Sequence, residues 1–458
     1  KDIYSENEVG DKVEVLATFS DFEEGLVVAN RISRFRLEGH ASYNDFAVLY
    51  RTNAQSRIFE EQLRRKNIPY RIYGGKSFYQ RKEIKDVIAY FRLIANPADE
   101  DAFRRIINYP KRGIGDVTVA KISSSAERYR TSLWNVISYP GEHDLNINAG
   151  MMKRINDFQS LLDGFISKKD VSDAFELAQE VIKETGISVE AYSDLTPEGM
   201  SRSQNIQELL NAIDEFVATR REQGIEEVQL IDFLSEVSLL TDQDTNDEEE
   251  TEKVTLMTVH SAKGLEFNHV FVVGMEEDLF PSAMAKNEVR GLEEERRLFY
   301  VAITRAGKTC TITYARSRFK NGQNNAARES RFIKEIDPVY LSVESSTDRH
   351  SSHTERSDDF WGSMREQRLN REKKRTSSFS TNATGLVSVR NTSSNTPLSE
   401  EAKELEVGHI IEHERFGQGE VTGIEMNGND RRAFVEFKSA GKKQLLLKFA
   451  KFKIIGKV

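Results

Sequence analysis

A single cysteine, Cys310, occurs among 458 residues. That excludes an internal disulfide framework and a cysteine-built zinc cluster. No stretch approaches the ~20 consecutive apolar residues that a membrane-spanning helix needs. The opening residues, KDIYSENEVG, lack the basic and apolar regions of a secretory signal. These absences favour a reducing compartment, most simply the cytoplasm. A phosphate loop is missing too. Gly307-Lys308-Thr309 looks like the end of one, but G-x-x-x-x-G-K-[ST] needs a glycine where Ala302 stands. The residues that follow, TCTITY, read as a strand, whereas the loop works through a helix N-terminus that faces the phosphate. Gly307-Lys308-Thr309 is therefore expected to be a turn into a strand.

What is present is polar and charged: 38% hydrophobic and 30% charged residues, with a net charge of −9. Taken whole, this is not the profile of a protein that coats nucleic acid, though it leaves room for local basic surfaces. The length allows two to four domains. VEVLATF (13–19) and FAVLYR (46–51) read as strands, and the helix between them, roughly 22–37, has Asp21 as its candidate cap. That order predicts a parallel α/β unit.

From residue 81 apolar residues recur at three- and four-residue spacing, as in DVIAYFRLI (86–94) and IQELLNAIDEF (206–216), which predicts a helical insertion. It ends in the acidic run DQDTNDEEETE (242–252), read as a solvated loop. Strands return at 254–260, 269–274 and 309–315. LEEERRLFYVAI (292–303) reads as an amphipathic helix with Glu and Arg on its wet face. The expected architecture is an α/β parallel-sheet domain in two parts, 1–80 and 253–338, interrupted by an all-helical domain at 81–252. A linker is expected at 339–404, because 341–400 holds 21 serines and threonines in 60 positions. The tail, 405–458, reads as a small β-barrel with Gly417 and Gly419 as turn residues, and 436–458 carries seven lysines against one Glu.

Three segments carry candidate chemistry. MTVHSAKGLEF (257–267) is a strand that runs into a turn with Gly264, with His260 and Lys263 at the strand's carboxyl end, the edge where open α/β sheets bind ligands. FAVLYRTNAQSR (46–57) sets Arg51 and Asn53 at the same kind of edge. Arg305 follows Val301-Ala302-Ile303 at a helix end. It is either a surface arginine or a fixed cation for transferring phosphate oxygens.

HSAKGLEF resembles motif V of the superfamily-one DNA helicases of UvrD/Rep type, and YVAITRA resembles their motif VI. FAVLYRTNAQSR, IPYRIYGGKSFYQRKEIKD (68–86), PKRGIG (110–115) and the glycine-rich tail are also similar, so the resemblance covers nearly the whole chain except 341–400. It implies a RecA-like second motor domain, the helical insertion and a Tudor-like β-barrel. The first motor domain, with its phosphate loop and Mg²⁺ ligands, is expected upstream, which makes this chain the C-terminal part of the helicase.

The resemblance implies ATP between the two motor domains, with Gly264 allowing close approach, Glu266 on the ribose and Arg305 on the γ-phosphate as the catalytic residue. It implies single-stranded DNA across Arg51, Asn53, Lys76 and His260. Duplex DNA is implied at Lys111, Arg112, Gly113, Ile114 and Gly115, where a positive pair stands beside a turn that resembles a helix-hairpin-helix. Two positions depart. The histidine that some relatives carry after Phe280-Pro281 is Ser282 here. The aromatic before the glycine matching Gly322 is Asn321, with Phe319 two residues away. The tail implies RNA polymerase and repair proteins as partners, while its lysines equally suit contact with DNA. The implied activity is ATP-dependent 3′→5′ DNA unwinding in repair and replication. The competing readings are a helicase–nuclease subunit and a non-catalytic fragment that binds DNA and RNA polymerase.

Overall fold

The computed structural model describes residues 9–39, 41–243, 252–320, 323–344, 400–427 and 430–457. Its centre is an eight-stranded sheet. The strands are β1 (Val13–Ser20), β2 (Phe46–Tyr50), β3 (Tyr70–Ile72), β4 (Val254–Thr258), β5 (Phe267–Val272), β6 (Ala306–Lys320), β7 (Gln323–Ala326) and β8 (Leu341–Glu344). Seven of them run parallel in the order β3-β4-β2-β5-β6-β1-β8, and β7 pairs antiparallel with β6. The α/β parallel architecture expected from the sequence is present.

Every residue of β2 is buried, as a central parallel strand covered on both faces must be. Phe46, Val48 and Tyr50 pack with Val28, Ala29 and Ile32 of α1 (Asp21–Leu37) and Phe59 and Leu63 of α2 (Ser56–Arg65). Ala47 and Leu49 point the other way, into a cluster completed by Phe280, Phe299 and Phe332. The cap of α1 is Ser20 rather than Asp21, since Ser20 Oγ accepts from Glu23 N at 3.2 Å. Gly307-Lys308-Thr309 is not a turn. It lies inside β6, where the register against β5 slips between Phe267 and His269. A Cβ on Gly307 would stand 3.4 Å from the Phe267 carbonyl, so a glycine fits this close strand pairing. β8, in the segment expected as linker, adds to the sheet beside β1.

Between β3 and β4 the chain is helical: α3 (Lys82–Ala95), α4 (Glu100–Ile106), α5 (Asp116–Tyr129), α6 (Leu133–Ser138), α7 (Ala149–Ile166), α8 (Ala174–Glu184), α9 (Ile187–Ser193), α10 (Pro197–Glu222) and α11 (Leu230–Gln243). Their apolar faces form one core running from Phe78 to Val237. Arg57 of α2 ties these helices to the sheet. It is buried and pairs with Glu208 at 2.7 Å and Glu215 at 3.3 Å on α10. Most of the acidic run, 244–251, and the segment 345–399 lie outside the described residues.

The tail is a separate five-stranded antiparallel sheet, β9 (His409–His413), β10 (Gly417–Asn427), β11 (Asp430–Phe437), β12 (Gly441–Leu446) and β13 (Phe452–Lys457), in the order β12-β11-β10-β9-β13. Its β9–β10 turn reaches both other parts. Arg415 pairs with Glu215 of α10 at 3.1 Å and lies 4.3 Å over the ring of Phe22 on α1. Its carbonyl accepts from Ser20 Oγ at 2.8 Å.

Candidate nucleic-acid and nucleotide edges of the sheet

Residues after a parallel strand and residues before one lie at opposite edges of the sheet. Arg51 follows β2, His260 follows β4, and Lys76 stands exposed in the loop after β3. All three are therefore at the carboxyl edge. Asn53, exposed, opens a short 3₁₀ turn beside them. The loop bearing Lys76 abuts the one bearing His260, since a Cβ on Gly74 would stand 3.4 Å from Ser261 Oγ. Arg51 is not loose. Its Nε lies 3.0 and 3.1 Å from the two carboxylate oxygens of Glu295, and its Nη2 lies 2.6 Å from one of them. Glu295 comes from α12 (Val289–Ile303) and is buried. Burial and the Arg51 charge lower the pKa of His260, while Glu295 and Glu294 oppose them.

Val259–Glu266 then passes across β2 to reach the start of β5. The carboxyl edge and the amino edge are joined by this loop. His260 stays at the carboxyl edge, but Gly264 and Glu266 are carried to the amino edge because β5 begins at Phe267. Arg305 waits there, just before β6. Phe267 N donates to the Arg305 carbonyl at 3.0 Å, and Arg305 Nη1 donates to the Leu265 carbonyl at 2.9 Å. Its Nε and Nη2 bond the Val301 carbonyl and Thr304 Oγ1, each at 3.1 Å. A guanidinium has five N–H donors, so two have no partner among the described residues. Gly264 has φ +85°, with no atom within 4 Å of where a Cβ would be, and Glu266 is exposed. An open glycine, an exposed carboxylate and an arginine with donors unused among the described residues fit a nucleotide's sugar and phosphates. Among the described residues no three His, Cys, Asp or Glu are gathered as metal ligands.

The PKRGIG turn lies apart, between α4 and α5. Lys111 is exposed, and Gly115 caps α5 without a side-chain bond. Arg112 corrects the sequence reading of a positive pair. It turns inward, with Nη1 bonding the carbonyls of Ile106 at 3.0 Å, Tyr109 at 2.7 Å and Pro110 at 3.3 Å, and Nη2 bonding Tyr90 Oη at 2.7 Å. It lies over the rings of Tyr90 and Phe158. Ile114 is buried in the helical core. Asn108 Oδ1 accepts from the N–H groups of Arg112 and Ile114, each at 3.0 Å, and closes the turn. Arg154 of α7 donates to the Gly113 carbonyl at 2.9 Å, and a Cβ on Gly113 would stand 2.4 Å from its Nη1. The second cation at the turn is therefore Arg154.

Sequence reasoning missed Glu295, Arg154 and a buried cluster in which Arg318 pairs with Glu276 at 2.6 Å and Glu24 at 2.7 Å. Glu295 left a signal. It sits three residues after Leu292 and four before Phe299, on the apolar stripe of α12 rather than its wet face. Ser282 Oγ donates to Glu295 at 3.3 Å. Asn321, Gly322 and the Phe319 side chain lie outside the described residues.

Residues 1–317 match the UvrD-like helicase C-terminal domain. The chain belongs to the UvrD-like helicases. Residues 407–453 match the PcrA/UvrD tudor domain, in agreement with the separate C-terminal sheet. The chain is 35% identical to the ATP-dependent DNA helicase PcrA of Staphylococcus aureus over 98% of its own length and 57% of the relative's. It is 38% identical to the protein of the same name from Bacillus subtilis over 73% of its length and 45% of the relative's. This UvrD-like chain thus spans about half the length of the curated relatives it matches. No helix among its described residues is long and apolar enough to cross a membrane.

Proposed function

We propose that this chain supplies the second motor domain, the inserted helical domain and the Tudor-like domain of an ATP-dependent 3′→5′ DNA helicase acting in cytoplasmic DNA repair and replication. The observation that carries the reading is the division of polar groups between the two edges of one sheet. Arg51, Asn53, Lys76 and His260 share the carboxyl edge, while Gly264, Glu266 and Arg305 share the amino edge. The loop 259–266 and helix α12 each span both, so a change at one edge has two covalent routes to the other.

At the carboxyl edge the cations suit phosphate oxygens, which carry no sequence information and so suit movement along any strand. At the amino edge, bound ATP supplies the γ-phosphoryl group to be transferred. Arg305 has two N–H donors left for the charge that spreads over that group. Glu266 accepts from ribose hydroxyls, and Gly264 leaves room for the sugar. The phosphate loop, the catalytic base and the Mg²⁺ ligands belong to the upstream motor domain. The chain by itself therefore binds DNA without turning over ATP. Lys111, Arg154 and the N–H groups at Gly113 and Gly115 are the duplex contact. In the Tudor-like domain, Lys442, Lys451 and Lys453 are exposed and available to RNA polymerase or repair proteins.

The test compares DNA-stimulated ATP hydrolysis by this chain with that of the same chain joined to its upstream part. The reading expects turnover only in the second. Turnover by the chain alone would overturn the division of labour. Turnover by neither, with DNA binding intact, would favour a DNA- and polymerase-binding role without catalysis.

A further inference from the structure

We propose that Glu295 is the positioning residue for Arg51, holding its guanidinium side-on so that the unused edge faces a DNA phosphate. The inference rests on the reading of the carboxyl edge as the single-strand path.

Arg51 is fixed at both ends. Its backbone N–H and that of Thr52 donate to Gln55 Oε1 at 3.0 and 2.9 Å. Its Nε and Nη2 engage Glu295, a side chain 6% exposed, to which Ser282 Oγ also donates. A buried carboxylate left without this partner is strongly unfavourable, so the pair holds. The side-on arrangement consumes one edge of the fork. Both Nη1 hydrogens and one on Nη2 have no partner among the described residues, and the arginine side chain is 22% exposed. A long side chain that would otherwise sample many rotamers is thus ordered before any ligand arrives. Phosphate then meets a donor pair of fixed direction, the geometry that distinguishes arginine from lysine.

The carboxylate has a second, opposite effect. Its negative charge lowers the positive potential of the edge. The two effects predict different signs when the charge is removed, and this makes the assignment testable. A purely electrostatic Glu295 predicts tighter DNA binding by Glu295→Gln and a steeper salt dependence. A positioning Glu295 predicts weaker binding, because the amide opposes its N–H groups to those of Arg51 and the fork loses its anchor.

The experiment is fluorescence anisotropy of labelled oligo(dT) with the full chain across a salt series. Glu295→Gln is expected to lose roughly tenfold in affinity, with the log–log salt slope falling by about one counterion. Arg51→Ala should match it, and the double variant should lose no more than either alone. Arg51→Lys keeps the charge and leaves Glu295 paired but cannot form the fork, so it too should bind weakly even if Glu295→Gln fails to fold. The His260 resonances read the fold of Glu295→Gln independently: without the carboxylate the imidazole should titrate lower than in the unaltered chain. Tighter binding by Glu295→Gln, or unaltered binding by Arg51→Lys, overturns the positioning role while leaving the single-strand path in place. Unaltered binding by Arg51→Ala instead removes that path, and the inference with it.

Discussion

Arg51 and Arg112 occupy the same kind of sequence setting, a short basic motif with a phosphate reading, and their side chains end in opposite states. Arg51 gives one edge of its fork to a buried carboxylate and keeps the other edge open. Arg112 spends its charge on three main-chain carbonyls, a tyrosine hydroxyl and two ring faces. The first keeps donors with no partner among the described residues. The second is a cross-link that satisfies carbonyls which a tight interhelical turn would otherwise bury unpaired. Residue type and spacing do not distinguish these outcomes, because what decides is which acceptors the distant chain brings near. Glu295 lies 244 residues from Arg51, whereas most of the Arg112 acceptors are within six residues of it.

Arg305 extends the comparison to a third case, with three donors used and two without a partner among the described residues. In the complete helicase, Arg305→Ala should lower kcat by roughly 10³ with ATP binding changed less than about tenfold. Steady-state hydrolysis alongside nucleotide titration checks it. Equal losses in binding and turnover would class Arg305 with Arg112 as a structural residue.

Arg112→Ala should destabilise the helical insertion by about 2–4 kcal/mol, the scale of lost charge-assisted hydrogen bonds with buried carbonyls left behind. Denaturant unfolding with hydrogen exchange over α3 to α5 would locate the loss. Little change in stability would mean that the arginine is as free as Arg51.

Lys111→Ala removes an exposed charge from the same turn. Its effect should be confined to junction DNA, with a salt slope lower by about one and an unchanged slope for single strands. Equal changes on both substrates would break the separation between the turn and the sheet edge.

The smallest expected effect is on pH dependence. The folded pKa of His260 is lowered, so the imidazole is neutral at pH 7 and gains its proton only as pH falls below its ordinary value near 6.5. Single-strand affinity should therefore rise slightly, by less than one counterion's worth of salt slope, on going from pH 7 to pH 5.5. His260→Gln should abolish the rise. Because the unfolded chain binds this proton more readily, the same acidification should cost the folded state some stability, and His260→Gln should be spared that loss.

The strands were legible because buried parallel strands are apolar throughout, as Phe46–Tyr50 is, and the helices because their apolar positions recur at helical spacing. Local chemistry was less legible where two signals compete. Ser20 and Asp21 both suit a cap, and Ser20 takes the role. Gly307-Lys308-Thr309 carries a turn signal yet continues a strand, since β5 beside it offers a parallel partner from Phe267 to Val272. Leu341–Glu344 joins the sheet as an edge strand because β1 offers it an unpaired side, which no short-range pattern reports. At the site, position after a strand singled out His260, and the resemblance singled out Gly264, Glu266 and Arg305, but neither reported the crossing between edges, which depends on β2 lying between β4 and β5. Glu295 was legible in principle as a charge on an apolar stripe, but its partner was not.

The most direct test measures the salt dependence of single-strand binding for Arg51→Ala and Arg112→Ala side by side, at a temperature where both remain folded. The account predicts that the slope of log Kd against log salt falls by about one for Arg51→Ala and stays at the unaltered value for Arg112→Ala. An unchanged slope for Arg51→Ala, or an equal fall for Arg112→Ala, would contradict it.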